Sequence, residues 1–180
     1  MASSLVLGMG LPTAAAYILV ATLTAPALVS MGVDLMAAHM FVFYSAMLSS
    51  ITPPVALAAF AAAAICREPP MRVAMISVKF GFVAFLLPYF FVLEPRLLGM
   101  GGIGETVGVF AMAVVGVLSL ACVLQGYAFG KLTTLSRIVI GIAALAVLMP
   151  DLKFKLIGIA AILAVLVAWK IGQFTKSNQN

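Results

Sequence analysis

Midway along the apolar stretch from Leu35 to Ile65 stands the run Ser49-Ser50-Ile51-Thr52-Pro53-Pro54. The stretch is long enough to cross a bilayer, which takes about 20 apolar residues. Proline lacks an amide donor, and its ring clashes with the carbonyl group one turn earlier, which costs a helix roughly 3 kcal/mol. Because Pro54 also pushes Pro53 out of the helical region, we predict a broken helix. Such backbone is tolerated at membrane depth only where protein buries it or where it lines a cavity.

The composition is that of an integral membrane protein. Of the 180 residues, 65% are hydrophobic and 8% are charged, and the mean hydropathy is +1.26. Soluble domains carry about 25% charged residues, so this chain cannot cover a water-facing surface. The formal net charge is +5, but the basic residues lie between apolar runs, where they indicate topology and not nucleic-acid binding. The predicted fold class is an all-α polytopic membrane protein.

The apolar pattern also sets the predicted organisation. Residues 1–98 are predicted to hold a hairpin and the broken helix, residues 99–172 further transmembrane helices, and residues 173–180 a polar tail. In the second region, small residues recur at a spacing that favours helix packing, namely Gly104, Gly108 and Gly116. The predicted apolar segments are Ser3–Ser30, Leu35–Ile65, Arg72–Leu93, Thr106–Leu124, Leu132–Met149 and Leu156–Trp169.

A second break is predicted near the start of the chain, at Gly8-Met9-Gly10-Leu11-Pro12-Thr13. Glycine permits positive φ, and proline is tolerated in the first turn of a helix. A re-entrant hairpin with its tip here would present amide groups at a helix N-terminus, which attract anions, and free carbonyl groups, which attract cations. A simple Gly/Pro kink between packed helices is the alternative.

The double-proline break adds the hydroxyl groups of Ser49, Ser50 and Thr52. Hydroxyl and carbonyl oxygens are the ligands that a hard cation such as Na⁺ prefers, and they bury no charge. Broken helices build ion and substrate sites in many secondary transporters. The two breaks together therefore predict a transporter site at mid-membrane.

Enzyme chemistry is not predicted, and neither is a cofactor. His39 is the only histidine, and Cys66 and Cys122 lack a metal-binding spacing. No pair of carboxylates and no nucleophile with a base lies inside the apolar segments.

The basic residues give a predicted orientation. They place Arg67, Arg72, Lys131, Arg137 and the C-terminus on the cytoplasmic side of the inner membrane. Lys153 and Lys155, on the other face, oppose this assignment. Because no basic region precedes the first apolar run, we expect no signal peptide there. We expect the chain to be the later part of a longer permease.

Three runs carry a family resemblance. They are Gly8-Met9-Gly10-Leu11-Pro12-Thr13-Ala14-Ala15-Ala16-Tyr17, His39-Met40-Phe41-Val42-Phe43-Tyr44 and Ser50-Ile51-Thr52-Pro53-Pro54-Val55-Ala56-Leu57-Ala58-Ala59-Phe60. They resemble the large membrane subunit of the tripartite ATP-independent periplasmic (TRAP) transporters, in particular the fused permease of the TAXI branch. The resemblance covers residue 3 to about residue 98.

The resemblance implies the second of two inverted repeats of a sodium-driven elevator-type transporter. Such a permease imports an organic anion that an extracytoplasmic substrate-binding protein delivers, together with the remaining permease half or a small membrane subunit. The implied sodium-binding residues are Gly10, Thr13, Ser50, Thr52 and Pro53. The predicted substrate contacts are Gly8, Pro12, Ser49 and Pro54.

One departure from the family pattern affects the substrate. An acidic residue often stands at the position of Pro12 in the dicarboxylate branch, so a dicarboxylate or sialic acid is not the expected substrate. Two other functions stay open at this point. One is a fragment of a different elevator-type sodium/organic-anion symporter, and the other is a non-transporting membrane scaffold subunit.

Overall fold

The computed structural model describes the backbone of residues 1–128, 130 and 132–177, and the side chains of these residues up to position 165. The chain divides into two compact units, the first being Met1–Leu98 and the second beginning at Gly99. A 3₁₀ helix, Pro95–Leu98, follows the fifth of the α-helices. The α-helices of the described part are α1 (Ala2–Gly8), α2 (Thr13–Ser30), α3 (Leu35–Ser49), α4 (Leu57–Cys66), α5 (Pro70–Leu93), α6 (Ile103–Gln125), α7 (Thr134–Val147) and α8 (Leu152–Ser177).

The prediction of an all-α polytopic membrane protein is confirmed. Helices α2, α5 and α6 are long and apolar enough to cross a membrane. Their surfaces expose large apolar side chains such as Ile18, Phe80 and Ile103, which suits contact with lipid or with other membrane helices. No strand occurs in the part of the chain that the structure describes.

The second predicted segment is divided between two half-helices. At a rise of 1.5 Å per residue, α3 is about 22 Å long and α4 about 15 Å, and each is shorter than the hydrocarbon core of about 30 Å. Only α3, the break and α4 together are long enough to cross it. A position of the break at depth in the membrane stays a prediction.

The side-chain contacts of the first unit fix the directions of its helices. Tyr17 on α2 meets His39 on α3, where its hydroxyl lies 3.0 Å from the Nδ1 atom, and α2 and α3 are joined by the short turn after Ser30, so they run antiparallel. Met1 and Gly8 of α1 meet Ser45 and Ser49 of α3, so α1 and α3 run in the same direction. Helices α1 and α2 therefore form the predicted hairpin, and its tip lies at the level of the break.

Helix α5 packs along both half-helices of the break. The Tyr89 ring meets Phe41 of α3 edge to face, with ring centroids 5.4 Å apart. Further along, Gly81 makes room for Ile51 at the break, and Ala74 packs with Ala56 and Ala59 at the start of α4. A single continuous helix thus supports the break from one end to the other.

An ion pair between Glu94 and Arg96 lies just after the end of α5. The guanidinium of Arg96 donates to the Glu94 carboxylate over 2.6 Å through Nε, with a second contact of 3.2 Å through a terminal nitrogen. The Glu94 side chain is only 4% exposed, while that of Arg96 is 41% exposed. Charged residues are rarely buried unless they are paired. The pair is therefore a structural feature of this unit.

Replacing Arg96 with methionine is expected to lower the free energy of unfolding by about 2 kcal/mol, less than the loss of a fully buried pair because Arg96 is partly exposed. The same change at Arg72, whose 3.2 Å pair with Glu68 is exposed on both sides, is expected to cost less than about 1 kcal/mol. Unfolding of the two variants in a detergent titration compares them directly. Equal losses would contradict the structural role of the Glu94–Arg96 pair.

The second unit is a bundle in which α7 packs on α6 and on α8. Its core includes Ile140, Ala143, Val147 and Ile162. The α7–α8 contact is very close, because a Cβ atom on Gly158 would lie 2.5 Å from the Ala143 carbonyl oxygen. Small residues permit such close approach of two helices.

One glycine of the predicted α6 pattern takes part in packing within the described chain. A Cβ atom on Gly116 would lie 2.8 Å from the Leu148 side chain. At Gly104 and Gly108 no atom of the described chain lies within 4 Å of a Cβ, so a packing role for these two glycines stays a prediction.

Helix α8 is longer than the predicted sixth segment. It begins at Leu152 and continues to Ser177, through residues that the sequence pattern assigned to the tail at 173–180. Lysine and glutamine are good helix formers, so the helix continues where the apolar pattern ends. Residues 178–180 lie outside the described residues, as does Lys131, which contributed to the predicted orientation.

Candidate functional site

The first break separates α1, which ends at Gly8, from α2, which begins at Thr13. Gly10 has a φ of +76°, a conformation that costs glycine little and other residues more. Within the described chain, the carbonyl groups of Met9, Gly10 and Leu11 accept no hydrogen bond. The predicted hairpin tip therefore presents free backbone oxygens.

The N-terminus of α2 presents donors at the same tip. Pro12 precedes the helix in an extended conformation, and no side chain caps the helix start. The first amide groups of any α-helix have no partner in the preceding turn. Thr13, Ala14 and Ala15 are exposed, so this end of α2 is accessible to an anion.

The second break extends from the end of α3 at Ser49 to the start of α4 at Leu57. Pro53 and Pro54 bring no amide hydrogen, and the Ser50 carbonyl is satisfied across the break by the Ala58 amide over 2.9 Å. In the described chain, five carbonyl groups between these points accept no hydrogen bond; they belong to Ile51, Thr52, Pro53, Pro54 and Val55.

The hydroxyl groups of the second break bond back to α3. Ser50 donates to the Met47 carbonyl and Thr52 to the Leu48 carbonyl, each over 2.7 Å. A hydroxyl that donates its hydrogen still has lone pairs that can accept a cation. Both side chains are partly exposed, so a small ion can reach them.

Two contacts bring the breaks together. The Ser49 hydroxyl, on a residue 1% exposed, lies 3.0 Å from the Gly8 carbonyl oxygen and 2.6 Å from the Ala46 carbonyl oxygen. Nearby, a Cβ on Gly10 would lie 3.3 Å from the Val55 side chain. The free oxygens of the hairpin tip and those of the broken helix therefore belong to one region of the protein.

The predicted site residues fall into two groups within this region. Gly8 and Ser49 are buried and touch each other, so they join the breaks. Gly10, Pro12, Thr13 and Pro54 are exposed, and Ser50, Thr52 and Pro53 are partly exposed. Among the described residues, no hydrogen bond joins Thr13 to the second break. The sodium and substrate roles of these residues stay predictions.

Two residues that contact the breaks, Ala46 and Val55, were not predicted as site residues from the sequence. Val55 packs against the hairpin tip at Gly10, and the Ala46 carbonyl accepts from Ser49. Neither residue type signals a site in a sequence. The only available clue is that Ala46 lies three residues before Ser49, a spacing at which serine often bonds back to its own helix.

A comparison with protein families identifies the chain. Residues 1–100 match the family described as "Tripartite ATP-independent periplasmic transporter, DctM component". The chain belongs to the DctM family. The resemblance to the large TRAP subunit is thus confirmed. Both breaks lie within the matched residues, while most of the second unit lies beyond them. No curated protein and no solved structure gives a significant match.

Family membership makes this chain a permease component of a TRAP transporter, embedded in a membrane. Both breaks belong to the part of the chain that the family match covers.

Proposed function

We propose that this DctM chain carries one half of a pathway for sodium-coupled import of an organic anion. The observation that carries the proposal is the 3.0 Å contact between the Gly8 carbonyl and the Ser49 hydroxyl. The contact shows where the hairpin tip meets the broken helix, a place at which free backbone oxygens from both breaks are neighbours.

Sodium suits the oxygens of this region. They are carbonyl and hydroxyl groups, which coordinate a hard cation without a buried carboxylate. Gly10 and Thr13 on the tip, and Ser50, Thr52 and Pro53 on the broken helix, are the proposed sodium-binding residues. The freed carbonyls around Pro53 and the lone pairs on the Ser50 and Thr52 hydroxyls support this assignment.

The organic anion is proposed to bind on the exposed side of the same region. The uncapped N-terminus of α2 offers amide donors and the positive end of the helix dipole. Pro12 and Pro54 are exposed there and are the proposed contacts that a solute can reach.

Family membership supports the proposed partners and location. An extracytoplasmic binding protein would deliver the anion, and the remaining permease half or a small membrane subunit would complete the pathway. The proposed location is the inner membrane, with Arg67 and the C-terminus on the cytoplasmic side.

Replacing Thr52 with valine tests the sodium site. The change removes the hydroxyl and keeps the shape of the side chain, so we expect the sodium concentration for half-maximal thermal stabilisation to rise about tenfold, which corresponds to about 1.4 kcal/mol. The measurement uses the full chain in lipid nanodiscs, titrated with sodium chloride against choline chloride at constant ionic strength.

Thr22→Val is the matched control, because the Thr22 hydroxyl makes the same kind of bond to its own helix, to the Leu19 carbonyl over 2.8 Å, away from the breaks. It is expected to leave the sodium titration unchanged. An equal response of the two variants would refute the site. No stabilisation of the wild-type chain by sodium beyond that of choline would refute the coupling ion.

A further inference from the structure

The Ser49 hydroxyl has two acceptors and one hydrogen. It lies 2.6 Å from the Ala46 carbonyl, in its own helix, and 3.0 Å from the Gly8 carbonyl, on the hairpin. A serine hydroxyl donates a single hydrogen bond. The hydrogen is therefore either shared between the two carbonyls or directed mainly at one of them, at the expense of the other.

The Gly8 carbonyl is a helix-end oxygen with few donors. Gly8 is the last residue of α1, where carbonyl groups lack intrahelical partners and carry the negative end of the helix dipole. Its other donor is the Leu11 amide, at a long 3.4 Å. When Ser49 also donates, both lone pairs of this oxygen are engaged.

Glycine at position 8 makes this arrangement possible. A Cβ there would lie 2.9 Å from the Ser49 hydroxyl oxygen, so any side chain would separate the carbonyl from the hydroxyl. Both residues are buried, so a cation reaches the Gly8 carbonyl only when the hairpin tip moves away from the broken helix.

We propose that Ser49 is a positioning residue that controls access of a cation to the Gly8 carbonyl. With the hydroxyl hydrogen on Gly8, the carbonyl is closed to a cation and the tip is tied to the broken helix. With the hydrogen on Ala46, the carbonyl is open. Rotation of the Ser49 hydroxyl from Gly8 to Ala46 leaves no donor unpaired, because the Ala46 carbonyl already lies 2.6 Å away. This inference rests on the proposed sodium site and adds the Gly8 oxygen to it.

The test is the sodium titration of the Ser49→Ala chain in nanodiscs, with thermal stability as readout and choline chloride as reference. Alanine removes the competing donor, so the half-maximal sodium concentration is expected to fall, by roughly two- to tenfold, the factor that corresponds to one neutral hydrogen bond. A ligand or a purely structural residue would give a rise. An unchanged or raised value overturns the proposal.

Ser45→Ala is the matched control. Ser45 is buried one turn earlier on α3, bonds back to the Phe41 carbonyl over 2.7 Å, and also contacts the sulfur of Met1, just before α1. It is expected to titrate like the wild type, and an equal fall would overturn the proposal. Should Ser49→Ala not fold, Ser49→Cys decides by the same criterion, because a thiol is a weaker donor.

The two proposals fail in different ways. If sodium does not stabilise the wild-type chain, both the proposed function and this inference are refuted. If sodium stabilises the wild-type chain but the half-maximal sodium concentration does not fall in Ser49→Ala, only the role of Ser49 is refuted.

Discussion

Replacing Gly8 with valine is expected to abolish the stabilisation of the chain by sodium. A Cβ at this position would lie 2.9 Å from the Ser49 hydroxyl oxygen and 3.2 Å from its Cβ, and the valine methyl groups would come closer still. The hairpin must then move away from α3, and the oxygens of the two breaks separate. We expect the half-maximal sodium concentration to rise by more than about 100-fold, corresponding to about 2.8 kcal/mol.

Two further variants define the cause. Ala27→Val adds the same methyl groups at an exposed position of α2 and is expected to titrate like the wild type. Gly8→Ala is expected to raise the half-maximal sodium concentration less than Gly8→Val does. Adding Ser49→Ala to the Gly8→Ala chain should restore part of its stabilisation by sodium, since it removes the hydroxyl oxygen that the new Cβ would strike. A Gly8→Val chain that keeps the wild-type titration would show that the two breaks do not act together.

Replacing Gly158 with valine is expected to cost the second unit more than about 3 kcal/mol, at the upper end of overpacking effects. The new Cβ would lie 2.5 Å from the Ala143 carbonyl oxygen and 2.9 Å from the Val147 amide nitrogen. These are backbone atoms of α7, which cannot turn aside as a side chain can. The two helices must separate along the whole contact. The measurement is the unfolding midpoint in a detergent titration.

Gly104→Val is the control for Gly158→Val, since no described atom lies within 4 Å of a Cβ at that position. It is expected to change the free energy of unfolding by less than about 0.5 kcal/mol, as surface substitutions usually do. Similar losses from both variants would mean that the α7–α8 contact is not the closest packing of the unit.

The breaks could be predicted from the sequence because their causes are local. Two consecutive prolines in the middle of an apolar stretch interrupt a helix, and α3 ends at Ser49, where the predicted break begins. Likewise, the proline at position 12 and the glycine at position 10 predict a turn before a helix start, and α2 begins at Thr13. Each of these effects acts within one helical turn.

The contacts between elements could not be predicted in the same way. The Ser49 hydroxyl meets Gly8, which lies 41 positions earlier, and the serine has the same local sequence signal whether or not that partner is present. The Gly158 contact depends on the path of α7, so a pattern confined to α6 selected Gly104 and Gly108 instead. Glu94 and Arg96 are typical of a loop in sequence, and only the packing of the loop buries the carboxylate.

The continuity of α5 has a consequence for motion. Its contacts with Phe41, Ile51 and Ala59 follow the broken helix on both sides of the gap. Bending at the gap would pull one half-helix away from α5, and the lost contacts would oppose it. We therefore expect the broken helix and α5 to move as one body, so that opening of the site falls to the hairpin tip and not to the gap. We expect the proposed entry of sodium to change the mobility of residues 2–12, which site-specific spin labels can follow, while distances across residues 50–56 stay constant.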